Sequence, residues 1–189
     1  HDVIKIISMK VQNKNLRVNL MLDRSLPSGL FGDDIRLRQV LVNLMNNAVK
    51  YTEKGSVTLV VRKKKGEVKD VYQPGDIIHL HFEVRDTGAG IKEEDIGKLF
   101  QEFERLDIEE NRYIEGTGLG MSITTNLLRM MGSTLKVDSE YGEGSVFYFD
   151  IEQGVWKGEP IGDLEERIRQ QTENYVYQVT FQAPDAEIL

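Results

Sequence analysis

The chain has 189 residues, 40% of them hydrophobic, enough for one good core with a flank but too few to presume two full domains. Its formal charge of −7 argues against broad electrostatic capture of nucleic acid or an anionic membrane, so any phosphate ligand must meet a specific site. With no cysteine there is no disulfide, thiol nucleophile or thiolate zinc site. No apolar run approaches the roughly 18 residues of a membrane helix, and no signal-peptide core opens the chain. The expected location is cytoplasmic, in a parent protein that is free to be membrane-anchored elsewhere.

In chain order, Val3, Ile6, Ile7 and Val11 recur at helical spacing, and Leu16 to Leu22 alternates as a strand does. Pro27 and Gly29 read as a break. Gly32-Asp33-Asp34 supplies an N-cap for a long helix reaching about Thr52, with Leu37, Val40, Leu41, Leu44 and Ala48 on one face. Ser56 to Lys63 and Asp76 to Arg85 predict two strands joined by a long polar loop, the second with Ile78, Leu80, Phe82 and Val84 inward. Glu93 to Phe100 predicts a short helix, Gln101 to Glu115 an irregular polar stretch, and Leu119 to Met131 a helix capped by Gly132. Thr134 to Ser139 and Ser145 to Ile151 form a last strand pair, and patterning weakens near Gln153.

Three segments carry candidate chemistry. Asn43, Asn47 and Lys50 fall on one helical stripe, offering two amide oxygens suited to magnesium and a cation for phosphate, although a solvated helix face would read alike. Asp86-Thr87-Gly88-Ala89-Gly90 sets a carboxylate and an approachable backbone at the end of a strand. That carboxylate accepts from an exocyclic amine such as adenine's, whereas guanine presents a carbonyl there; an ordinary Asp-Gly turn is the rival. Gly116-Thr117-Gly118-Leu119-Gly120 opens a helix whose free N–H groups suit an anion, with a simple flexible hinge as the rival. Its G-x-G-x-G spacing after a polar stretch fails the dinucleotide fingerprint, and no Gly-Lys-Ser/Thr follows to make a P-loop. His79 and His81 lie on the strand's polar face, and a structural role is the expectation for both.

In this order the segments resemble the nucleotide-binding boxes of sensor histidine kinase catalytic domains, within the family shared with type II topoisomerases, mismatch-repair ATPases and heat-shock chaperones. Arg36 to Thr52 looks like the N box, Asp86 to Gly90 the G1 box, Leu99 to Phe103 the F box and Gly116 to Gly120 the G2 box. The likeness covers about residues 1–152, with Glu102 and Glu115 departing from residues common in the family.

The resemblance implies that Asn47 is the main magnesium ligand with Asn43 in support, that Lys50 contacts phosphate, and that Tyr51 lies near adenine. It further implies that Asp86 reads the adenine amine and that Gly88 and Gly90 let the base lie against the backbone, with Ile91 among the nucleotide-binding residues. Phe100 and Phe103 bracket the start of the polar stretch, where anchoring one end of a mobile lid and simple core packing are equal readings. Gly116, Thr117, Gly118, Leu119 and Gly120 would fold over the phosphates, with Arg105 or Arg112 at the γ-phosphate. In hydrolysing relatives a glutamate commonly stands at the place of Asn43, and an amide has no comparable basicity, which favours transfer over hydrolysis.

The implied fold is a two-layer α/β sandwich: a mixed, mainly antiparallel five-stranded sheet covered by three helices, with a flexible ATP lid. The implied function is to bind ATP and Mg2+ and to donate the γ-phosphate to a histidine on a separate helical hairpin of a homodimeric parent, in two-component signalling. No phospho-acceptor segment is recognisable, so the chain reads as the catalytic part of a kinase. An ATP-hydrolysing clamp and an ATP-sensing module are the alternatives. Residues 153–189 read as a linker toward a receiver domain, with Ile188 and Leu189 opening its first strand; a receiver domain or response regulator is the further expected partner.

Overall fold

The computed structural model describes residues 2–11, 15–67, 69–100 and 120–162. Helix α1 (Asp2–Val11) precedes strands β1 (Leu16–Leu22) and β2 (Pro27–Phe31), the long helix α2 (Asp34–Tyr51), and strands β3 (Gly55–Lys63) and β4 (Ile77–Asp86). The short α3 (Glu93–Ile96) runs into a 3-10 turn (Gly97–Phe100), followed by α4 (Gly120–Met130), β5 (Lys136–Glu140) and β6 (Gly144–Pro160).

The described strands form one open sheet in the order β1-β3-β4-β6-β2, with β5 pairing the first part of β6 and β2 its last part. Only β1 and β3 run parallel; the other pairings are antiparallel. The α/β architecture is thus as expected, but the sheet has six strands rather than five and the described residues hold four α-helices rather than three. The sixth strand is β2, where Pro27 and Gly29 had read as a break. At a sheet edge a proline at the strand's start breaks no interior ladder, and the register shifts flanking Gly29 absorb the irregularity. Strand β6 also continues beyond residue 152, because Leu30 and Phe31 of β2 pair with Val155 and Gly154, and Val155 is buried.

Alternation along β3, β4 and β6 puts Val57, Leu59, Ile78, Leu80, Phe82, Val84, Phe147, Phe149 and Ile151 on the face that meets the helices. Val40, Leu44, Met45 and Val49 of α2 and Leu128 of α4 close this core, within which Phe82 and Phe149 stack at 5.1 Å between ring centroids. Leu44 is almost wholly buried, so Leu44→Ala is expected to cost about 2–5 kcal/mol.

The other face of the sheet is charged. Glu83, only 6% exposed, accepts from Arg62 at 2.9 Å, from Arg85 Nε at 2.6 Å and lies 2.8 Å from His81 Nε2. His81 Nδ1 is 2.7 Å from Asp150, which also pairs with Lys64 at 3.1 Å. The two histidines therefore sit within the sheet's own ion network, His79 beside Glu67 at 3.1 Å.

Candidate nucleotide site

Helix α2 begins on Asp33, whose carboxylate accepts the Arg36 amide at 2.9 Å. One and two turns before its end, Asn47 and Asn43 face the first turn of α4. Asn43 Nδ2 donates to the Gly120 carbonyl and to Thr124 Oγ1, both at 2.7 Å, and Asn47 Nδ2 donates to Met121 Sδ at 3.3 Å. A carbonyl and a thioether only accept, so both amides are oriented with nitrogen toward α4. What each then has to offer a ligand is its oxygen. Helix α4 has no acidic residue in its first turn, so no carboxylate there opposes an anion at the positive end of its dipole.

The loop after β4 is held from three sides. Asp86 accepts the Gly88 amide at 2.9 Å, the Ala89 amide donates to the Tyr51 carbonyl at the end of α2, and Gly142 of the β5–β6 turn donates to the Ala89 carbonyl at 2.8 Å. A Cβ on Gly88 would overlap the Tyr51 carbonyl oxygen. Gly90 adopts φ +65° with its α-carbon packed on the Glu140 carbonyl, so a side chain is excluded there on two counts. Ile91 donates its amide to Ser139 Oγ at 2.8 Å, which bonds onward to the Gly144 carbonyl.

Burial pushes the Asp86 carboxyl above the usual carboxylate range, against the Gly88 and Ser145 amides that pull it down. Among the described residues no cation contributes to that balance, an arrangement that suits a hydrogen-bond donor arriving with a ligand. Lys50 Nζ lies 4.9 Å from the ring centroid of the partly exposed Tyr51, at the same end of α2. Phe100 ends the 3-10 turn, packed against the core.

The structure thus joins Asn43 and Asn47 to the start of α4 at Gly120 and Met121, and joins Tyr51 at the end of α2 to the loop from Asp86 to Ile91; Lys50 lies beside Tyr51, and Phe100 packs against the core. Phe103, Arg105, Arg112, Gly116, Thr117, Gly118 and Leu119 lie outside the described residues. Sequence reasoning missed Thr124 and Met121. The available signal was a fully buried threonine one turn after Gly120 on the inward face of an amphipathic helix, where a hydroxyl needs a partner. Among the described residues no group of three or more His, Asp or Glu is placed to hold a metal ion. The donors at this site are amide oxygens, which fit a magnesium ion that keeps waters and phosphate oxygens in its shell.

Residues 32–154 match the family described as Histidine kinase-, DNA gyrase B-, and HSP90-like ATPase. The chain belongs to this family. Similar curated proteins include the aerobic respiration control sensor protein ArcB of Escherichia coli, 38% identical over 79% of this chain and 18% of that protein. Hybrid signal transduction histidine kinase B of Dictyostelium discoideum is 36% identical over 80% of this chain and 7% of its own length. The chain therefore spans less than a fifth of these two relatives. Among solved structures, full-length ShkA in complex with AMPPNP superposes with a TM-score of 0.68 at 29% identity, over 82% of this chain and 29% of that one. The mycobacterial sensor histidine kinase MprB shares the fold, with a TM-score of 0.58 at 20% identity over 82% of this chain and 94% of its own. No helix of the described residues is long and apolar enough to cross a membrane.

Proposed function

We propose that this domain binds ATP with magnesium and presents the γ-phosphate to a histidine carried by a separate helical hairpin of its parent protein. The observation that carries the reading is Asp86, a partly buried carboxylate bonded to backbone amides and left with acceptor capacity at the end of β4. Adenine satisfies it through the exocyclic amine. The Gly88 and Gly90 backbone and Tyr51 border the base, and the phosphates extend along α2 toward Asn47, Asn43 and the open N-terminus of α4. Magnesium, held by Asn47 with Asn43 in support, would neutralise phosphate charge there. Lys50 supplies a further positive charge, and Phe103, Arg105, Arg112 and Gly116 to Leu119 complete the lid side.

In the transfer an imidazole nitrogen bonds to the γ-phosphorus as the bond to the β–γ bridging oxygen breaks and ADP departs. Catalysis of this kind is positioning and charge neutralisation, and it needs no general base at position 43. The Asn43 amide, with its nitrogen committed to α4, is no base, and the hydrolytic reading is the weaker for it. The relative named as a hybrid histidine kinase supports a parent that also holds a receiver domain, with the residues after 162 as the linker toward it.

Calorimetry with ATP and magnesium tests the binding, and phosphohistidine formation after adding a hairpin fragment of the parent tests the transfer. The expected result is micromolar-range or weaker binding, transfer only when the hairpin is present, and slow hydrolysis without it. Steady hydrolysis near the median enzyme rate of about 10 per second would favour the ATPase clamp instead.

A further inference from the structure

The two amides of α2 do not float over the site; each is bonded through its nitrogen to a different residue of α4's first turn. Thr124 is the centre of this arrangement. Its hydroxyl accepts from Asn43 Nδ2 at 2.7 Å and donates to the Gly120 carbonyl at 2.9 Å, and that same carbonyl accepts from Asn43 at 2.7 Å. Nitrogen, hydroxyl and carbonyl thus form a closed three-membered ring of hydrogen bonds, which leaves the Asn43 amide a single orientation. Met121 does the same for Asn47 with a softer acceptor, its thioether at 3.3 Å.

We propose that Thr124 and Met121 are positioning residues for the cation: by taking the amide nitrogens of Asn43 and Asn47 they hold both amide oxygens ready for magnesium. This rests on the ATP–magnesium reading above. The alternative amide orientation would aim the NH2 group of Asn43 at the cation and set its oxygen against the Gly120 carbonyl, two acceptors facing each other. Fixing a ligand oxygen by bonding the other end of its own amide works as outer partners do at metal sites generally. It also ties metal affinity to the first turn of α4. Any movement of Gly120 and Met121 relative to α2 disturbs both donors together, so the cation is held in full only when that turn is seated.

The test uses the whole chain and measures the affinity for AMPPNP by calorimetry, first without divalent cation and then across a magnesium titration. Thr124→Val keeps the shape and removes the hydroxyl. It is expected to leave cation-free AMPPNP binding within about twofold and to raise the magnesium concentration for half-maximal enhancement about five- to tenfold, the effect of one lost hydrogen bond. Thr124→Ser is expected to restore the parental magnesium dependence. Met121→Leu, at a partly buried position, carries the test independently with a shift of about two- to threefold. Thr124→Val with parental magnesium dependence and an intact circular dichroism spectrum overturns the proposal, as does an equal loss with and without magnesium, which would mark the contact as helix packing alone. A parent chain that binds AMPPNP without any magnesium enhancement removes the positioning role and keeps the nucleotide site, whereas a parent that fails to bind AMPPNP removes the ATP reading itself.

Discussion

Glu83 and Asp86 stand three residues apart on β4, and their surroundings push them in opposite directions. Burial raises the Glu83 carboxyl, but the hydrogen bonds from Arg62, Arg85 and His81 outweigh it and hold the group below its ordinary value. Burial raises Asp86 as well, and there only the Gly88 and Ser145 amides oppose it, so it ends above its ordinary value. The odd register of the strand sends Glu83 to the charged outer face, among side chains from β3, β4 and β6. Asp86 falls at the strand's end, where the chain turns through small residues and no cation is within bonding reach in the described structure. A carboxylate saturated by its own protein serves the fold, whereas one kept at a cost with spare acceptor capacity fits the nucleotide role proposed above for Asp86.

This comparison is most sharply broken at Glu83. Glu83→Ala would leave the Arg62 and Arg85 guanidinium groups without the carboxylate they share, and thermal or denaturant unfolding is expected to show a loss of about 2–3 kcal/mol. The value sits below that for a fully buried pair because Arg62 and Arg85 retain contact with water. Nucleotide affinity is expected to stay within about twofold of the parent. A large loss of affinity in a folded Glu83→Ala would mean that the two carboxylates are not functionally separate.

Asp86→Asn is the converse. An acceptor oxygen is exchanged for a donor amide, and adenine nucleotide affinity is expected to fall about 10- to 100-fold by calorimetry. Because the folded value of Asp86 is raised, ionising it works against the fold as pH climbs through that value. The amide variant is thus expected to melt no lower than the parent at neutral pH. Loss of affinity together with a lowered Tm would make Asp86 a structural residue.

The pH dependence of stability follows with the signs opposed. Glu83 and Asp150 are both held below their ordinary values, Asp150 because bonds from His81 and Lys64 outweigh its burial. Their contribution is present in full above the unfolded carboxylate values near 4 and is lost as pH falls through the depressed folded values. Urea midpoints measured from pH 6 down to pH 3 are expected to drop in the parent and to drop less in Glu83→Gln, which has no such proton to gain. Parallel curves for the two proteins would take the acid sensitivity away from this network.

The outer and inner faces were equally legible in the sequence, since alternation along Asp76 to Arg85 separates Ile78, Leu80, Phe82 and Val84 from His79, His81, Glu83 and Arg85. Helix α2, its Asp33 cap and its apolar stripe were equally plain, because cap chemistry and periodicity are local. What was not legible was pairing. Leu16 to Leu22 reads as a strand, but only the folded chain sets it parallel to β3, and Pro27 with Gly29 gives a break signal that a sheet edge overrides. The site followed the same division. Asp86, Asn43 and Asn47 stand out by residue type, whereas the contacts that orient the amides join positions 74 to 81 residues apart, beyond any spacing rule.

Tyr72 supplies the smallest effect and the finest test of how unspent hydrogen-bonding capacity is to be read. It is only 2% exposed, its hydroxyl has no bonding partner among the described residues, and burial with the nearby charges of Glu67, Asp70, Asp23 and Asp76 pushes its pKa up to about 12. If spare capacity alone marked a binding site, Tyr72 would qualify alongside Asp86. Its ring instead belongs to the main core, and its backbone carbonyl packs against Gly158 of β6, so the residue is held by its apolar part and the hydroxyl is carried along. A buried hydroxyl without a partner loses its hydration and gains nothing in return, so removing it relieves the fold. Tyr72→Phe is accordingly expected to raise stability by up to about 1 kcal/mol, read as a higher urea midpoint with an unchanged slope, and to leave AMPPNP affinity as it was. Destabilisation of similar size would instead reveal a water or side-chain partner for the hydroxyl, and the contrast between an orphan that costs the fold and a carboxylate kept for a ligand would then rest on Asp86 alone.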